Sequence, residues 1–221
     1  MTKRKLILFT INICVAIAIH AQTRYGIEAG GVWDDILASN VETMPKFTYR
    51  VGAFVNYNKF WGSSIYYVKK GAKMSEFIPQ YTDYIQKLDA SFNYIEVVPL
   101  FFKFKPLIVS RNFEMIPVFG IYGAYGFSGK ASLVGMTEDN YIFHKEIKQV
   151  FKDEQFTEGN KTYNFKSFQP FDAGGRAGID FIYNKFIFRV NCSLGFVNNI
   201  SSYDKRIKHN SLDLSLCYLL K

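Results

Sequence analysis

The stretch Phe47-Thr48-Tyr49-Arg50-Val51-Gly52-Ala53-Phe54-Val55-Asn56-Tyr57 decides the fold. Its odd positions read Phe, Tyr, Val, Ala, Val, Tyr, and its even positions read Thr, Arg, Gly, Phe, Asn. Successive side chains on a β-strand point to opposite sides, so this alternation predicts a strand with one apolar and one largely polar face. Its eleven residues also suffice to cross a bilayer when the strand is tilted.

Three later stretches repeat the pattern. Phe171, Ala173, Gly175, Ala177, Ile179, Phe181 and Tyr183 alternate with Asp172, Gly174, Arg176, Gly178 and Asp180. Phe186, Phe188, Val190, Cys192, Leu194 and Phe196 alternate with Ile187, Arg189, Asn191, Ser193 and Gly195. Leu212, Leu214, Leu216, Tyr218 and Leu220 alternate with Asp213, Ser215, Cys217 and Leu219. Residues 24–32, 62–72, 91–105 and 112–127 bring the strands to eight. The last two contain Pro99 and Pro117, which predict a bulge or a local loss of ladder pairing.

Connections alternate in length. Short ones lie around 58–61, 106–111 and Asn184; long ones are 33–46, 73–90, 128–170 and 198–208. An even number of strands with tight turns at one end and long loops at the other predicts an eight-stranded antiparallel up-and-down transmembrane β-barrel, all-β in class. A soluble, lipocalin-like barrel would carry its charges outside. Here the apolar faces hold almost no ionisable group, whereas the polar faces carry Glu28, Arg50, Glu96, Arg176, Asp180, Arg189 and Asp213. That distribution fits a lipid-facing exterior around a narrow polar lumen. Tyr25, Phe47, Tyr57, Trp61, Phe171, Tyr183, Phe186 and Tyr218, at strand ends, suit interfacial girdles.

Composition agrees. The chain has 221 residues, 18% of them aromatic, with a formal charge of +8. Residues 1–21 read as a secretory signal peptide: Lys3, Arg4 and Lys5, then an apolar run from Leu6 to Ile19, then Ala21 before the expected cut. The barrel domain is then 22–221, with a charge of +5 once those three bases are gone. Its bases are scattered, with no Lys/Arg run longer than two, which gives nucleic-acid binding little support. After Ala21 no apolar run approaches the length of a transmembrane helix.

Several segments resemble the PorT-like outer-membrane β-barrel family, in that family's order. They are Tyr67-Val68-Lys69-Lys70-Gly71-Ala72-Lys73, Tyr94-Ile95-Glu96-Val97-Val98-Pro99-Leu100 and Ile116-Pro117-Val118-Phe119-Gly120 through Tyr125, followed by the Gly-rich 172–180 strand and Leu194-Gly195 with Asn199-Ile200. The resemblance implies an eight-stranded barrel in the outer membrane of a Gram-negative bacterium. It says little about task.

The seven lumen charges predict a salt-bridge plug, since an eight-stranded barrel is only just wide enough for side chains to fill and buried charges must be paired. A narrow channel for ions or small solutes is the alternative, and a soluble carrier the third. His144, with Ser128, Ser132, Asp139 and Asp153 nearby in sequence, is a candidate for rim chemistry, and His209 reads as a surface residue. No catalytic, cofactor or metal site is expected. The Gly174-Gly175-Arg176-Ala177-Gly178 run lacks the strand-to-helix context of a phosphate loop. Cys192 and Cys217 point to opposite faces and are expected to be free thiols. In the loops, Phe77, Tyr81, Tyr84, Phe143 and His144 are candidate contacts for a protein, a glycan or lipopolysaccharide. Phe143, Ile147, Val150 and Phe151 fall at helical spacing, so 139–151 is either a short amphipathic helix or part of an extended hairpin. Partners are thus expected among outer-membrane lipid, lipopolysaccharide and other envelope proteins.

Overall fold

The computed structural model describes residues 23–38, 42–77, 84–110, 112–136, 141–158, 161–165, 167–198 and 207–220. The expected signal peptide, Asp139, and Tyr81 of the loop candidates lie outside them. The strands are β1 (Arg24–Ala38), β2 (Glu42–Asn56), β3 (Trp61–Phe77), β4 (Tyr84–Lys103), β5 (Ile108–Val109), β6 (Phe113–Met136), β7 (Ile142–Ile147), β8 (Glu154–Glu158), β9 (Lys161–Phe165), β10 (Phe171–Tyr183), β11 (Phe186–Gly195) and β12 (Ile207–Leu219).

Eight of these form the wall. β1, β2, β3, β4, β6, β10, β11 and β12 pair in that order, each antiparallel to its neighbours, and β12 pairs back onto β1. Closure satisfies both edges of every stave, which is what hydrocarbon demands of a backbone that crosses it. The tight turns gather at one end, where the Leu220 amide also donates to the Tyr25 carbonyl at 2.9 Å. One of them places Asn184 at φ 55°, a left-handed conformation that asparagine tolerates better than most residues.

The outward positions form an apolar belt. Tyr25, Phe102, Tyr183, Phe186 and Tyr218 ring the tight-turn end; Trp33, Phe47, Tyr125, Phe127 and Phe171 ring the other, and all are exposed. Ile27, Val51, Ile65, Ile95, Phe119, Ile121, Phe188 and Leu216 fill the band between. This surface has no aqueous partner and is the surface of a barrel that crosses a bilayer. A lipocalin-like arrangement, with the apolar faces inward, is thereby overturned.

The strands run well past the belt. β4 has 20 residues and β6 has 24, where about ten suffice for the membrane. The segments expected as long loops at 33–46 and 73–90 are therefore largely strand. Alternation persists there with its sense reversed. On β3, Ile65 and Tyr67 face outward in the belt, and Lys69 and Lys73 follow on the same face; inward, Tyr66 gives way to Ala72 and Met74. On β4, inward Glu96 gives way to Phe92, Ala90 and Leu88. In the membrane the barrel is apolar outside and charged inside. Above it the same strands are polar outside and apolar inside.

Local irregularities have local causes. The β4–β6 register shifts between Val97 and Leu100, so Pro99 sits in a bulge, where its missing N–H costs no ladder bond. Pro117 makes no such bulge: it stays in register with Ile179, and its carbonyl accepts from the Phe104 amide at 2.9 Å. A second shift, between Asn93 and Tyr94, leaves Phe127 and Ser128 both exposed and resets which residues of β6 face inward.

The described residues of 128–170 form strands and turns, with no helix among them. β6 continues to Met136 and returns as β7, and β8 and β9 form a separate hairpin. Residues four apart share a face on a strand as they do on a helix, so Phe143 and Ile147 both turn inward. Val150 and Phe168 follow them into the apolar interior, where Phe168 meets the Phe92 ring edge-on at 4.8 Å. The segment caps the barrel.

Candidate functional site

All seven lumen positions, Glu28, Arg50, Glu96, Arg176, Asp180, Arg189 and Asp213, lie inside the barrel, none more than 7% exposed. Arg50 is the hub. Its guanidinium lies on the Tyr66 ring, 3.7 Å from the centroid, and reaches Asp213 at 2.6 Å, Glu96 at 3.4 Å and Glu28 at 3.5 Å. Arg176 donates to Glu96 at 2.6 Å and to the Ser193 hydroxyl at 2.9 Å. Arg189 joins Glu28, at 2.7 Å, to Asp180, which it holds through two nitrogens. Each arginine presents a planar fork, so one side chain can satisfy two or three carboxylates that would otherwise be buried unpaired.

The network is larger than the alternation implied. Lys103 lies 3.7 Å from Asp180 at the tight-turn end. Toward the cap, Lys70 binds Asp172 at 2.7 Å and approaches Glu96 at 3.9 Å, while the Tyr122 hydroxyl donates to Asp172 at 3.3 Å. Gly174 leaves room for that tyrosine, since a Cβ there would come within 2.6 Å of the Tyr122 ring. His209, expected at the surface, is 1% exposed; its Nδ1 is 3.2 Å from Asp34, and its ring stands edge-on to Phe92. It sits inward because β12 begins at Ile207, extending the parity of Asp213 down the strand.

Parity also would have revealed Lys70, which shares the inward face of Tyr66, and Asp34, which shares that of Glu28. Lys103 was hidden by the Pro99 bulge, which changes the inward set from Glu96 and Val98 to Phe101 and Lys103. Among the described residues the buried interior holds six carboxylates, five Lys or Arg and one histidine.

Little space is left. A cavity of about 20 Å³ beside Arg176, Arg189 and Asn191 has room for about one water molecule. Beyond the ionic layer toward the cap, Val32, Ile36, Met74, Leu88, Phe92, Leu133, Ile147 and Phe168 form a continuous apolar core.

The other candidates separate. Phe143, named as a surface contact, is buried, its ring 5.1 Å from Tyr163; the alternation of β7 turns it into the cap. His144, one position on, is exposed on the outer face of β7. Phe77 ends β3 and Tyr84 begins β4. Cys192 is exposed and Cys217 buried, and both are free. Among the described residues no group of three His, Cys, Asp or Glu could hold a metal ion.

Solved structures place this geometry in a class. Neisserial surface protein A is 11% identical, the match covering 88% of this chain and 96% of that one, with a TM-score of 0.50. The outer membrane protein OprG from Pseudomonas aeruginosa is 10% identical over 91% of this chain and 97% of its own, at 0.47. Ail, the attachment invasion locus protein of Yersinia pestis, is 12% identical over 89% and 98%, at 0.45. The first of these bears on the fold; the other two are weaker likenesses. No protein-family model matches the sequence, and no curated protein matches it. The chain has the fold of the eight-stranded outer-membrane β-barrels.

Proposed function

We propose that the protein is a non-conducting, non-enzymatic anchor in the cell outer membrane, which holds a rigid extracellular β-structure for contact with other envelope components. The observation that carries this reading is the double closure of the lumen, ionic within the belt and apolar beneath the 128–170 cap. A channel would need a continuous polar path, and the apolar core interrupts it. Substrate would have no path to the charged side chains of the lumen, which are buried. The strands extended beyond the membrane, and the β7–β9 cap folded onto them, supply a stiff platform rather than flexible loops. The segments that resemble the PorT-like family support the same class of envelope protein.

The test begins with the envelope fraction run boiled and unboiled on a detergent gel. A folded barrel migrates differently until heated, and its partition with the outer membrane supports the location. Purified protein in a planar bilayer should then give no stepwise current. A steady unitary conductance would replace the anchor with the channel, and a periplasmic protein without the heat shift would remove both.

A further inference from the structure

Above the aromatic girdle, the exterior of β2, β3, β4 and β6 is a lysine patch with hydroxyl and amide groups set between the charges. The ladder fixes its layout. Lys69 stands opposite Asn93, and Asn93 opposite Ser128; the next outward row is Gly71, Ser91 and Lys130, and the one above it Lys73, Asp89 and Ser132. Lys87 follows one row higher, opposite Ser75. Lys46 lies across Gly71, where a Cβ would come within 2.9 Å of its stem, and reaches the Ser91 hydroxyl at 2.8 Å and the Asp89 carboxylate. Five lysines thus share one side of the wall. Among the described side chains Asp89 and Glu146 are the acids between them, with Glu42 at the upper edge.

Three features select a ligand. The patch begins directly above Tyr67 and Phe127, whose rings lie 6.2 Å apart at the top of the belt, so it stands at headgroup depth. Ile65, Ile95, Val97 and Ile121 expose an apolar wall below it that suits acyl chains. Between the lysines, Asn93 bonds Ser128 at 2.9 Å and accepts from the Tyr67 hydroxyl at 2.7 Å, a polar row that suits sugar hydroxyls as well as phosphate oxygens.

We infer that this face binds the phosphorylated sugar headgroup of an outer-leaflet glycolipid, lipopolysaccharide, with the acyl chains lying along the belt beneath. The inference rests on the membrane-barrel reading above. Lysine engages phosphate as a point charge, and several clustered charges add where one exposed pair contributes little.

The test uses the full mature chain in detergent micelles, with three probes: lipopolysaccharide, the same material after enzymatic dephosphorylation, and phosphatidylglycerol. Wild type should bind the first at least tenfold more tightly than the other two. The variant Lys69→Gln/Lys73→Gln/Lys130→Gln should lose about tenfold in lipopolysaccharide affinity, while Lys59→Gln/Lys185→Gln, at the tight-turn rim, should match wild type. Equal binding by the triple variant, or equal binding of dephosphorylated material, overturns the site. Stronger binding of phosphatidylglycerol makes it a phospholipid contact and overturns the glycolipid. Both variants are first checked for the heat-dependent gel shift; a wild type lacking that shift would instead sink the barrel reading.

Discussion

Arg189 faces Asp180 directly across the β10–β11 ladder and grips it with two hydrogen bonds, Nε to Oδ1 at 2.6 Å and Nη2 to Oδ2 at 2.9 Å. The same guanidinium donates to Glu28 at 2.7 Å, so one side chain ties the tight-turn end of the lumen to the Arg50 hub. Pairing within a hairpin brings the two together whenever β10 and β11 form.

Arg189→Ala leaves two buried carboxylates short of their main partner, and should cost about 3–5 kcal/mol. Arg189→Lys should recover part of this, because an ammonium keeps the charge but cannot fork to both oxygens of Asp180. Urea unfolding in lipid vesicles reads both. An unchanged midpoint for the alanine variant would mean that the network adds nothing to stability.

The cap should loosen independently of the wall. Phe168 is buried against Phe92, and its amide donates to the Val150 carbonyl at 2.8 Å. Phe168→Ala removes a buried ring at a local cost of about 3–5 kcal/mol. Cleavage within 141–158 by added protease should speed up, while the heat-dependent gel shift stays as in wild type. Loss of both together would show that the cap and the barrel fold as one unit.

The two cysteines should report the faces of the wall. Cys192 is exposed on the belt and Cys217 is 0% exposed inside, so a membrane-soluble maleimide should label only Cys192 in the folded protein. After unfolding, both should react. A 192–217 disulfide in folded material would contradict the register, since side chains on opposite faces cannot meet without backbone movement.

A charge on the belt should be costly at mid-depth. Val51 lies near the middle of the membrane-crossing part of β2, between Phe47 and Asn56, and is 49% exposed to what would be lipid. Val51→Arg should destabilise by about 2–4 kcal/mol in vesicles. Lys73→Glu, above the belt, should cost less than 1 kcal/mol by the same unfolding assay. Equal costs would place the bilayer elsewhere.

Period-two patterning made the membrane-crossing part of each strand legible, because a strand must send alternate residues to lipid and to lumen. It failed at the two kinds of place where that rule changes. One is the Pro99 bulge, which hid Lys103 by shifting the parity of β4. The other is the region above the girdle, where an apolar interior and a wet exterior reverse the sense of the alternation, so that strand around Lys73, Lys87 and Asp89 read as loop. His209 and Asp34 keep the inward parity of Asp213 and Glu28 and were missed only because β12 and β1 run further than the expected strands.

The sequence by itself determined which residues share a face, and from this followed the apolar belt, the charged face and the eight-stranded architecture. Those properties depend on neighbours along one strand. Only the tertiary structure decided which charges meet, that Arg50 serves three carboxylates from three other strands, and that the cap completes an apolar core above them. Such contacts join residues as far apart as Arg50 and Asp213, and their register is set by closure of β12 onto β1, which no single strand encodes.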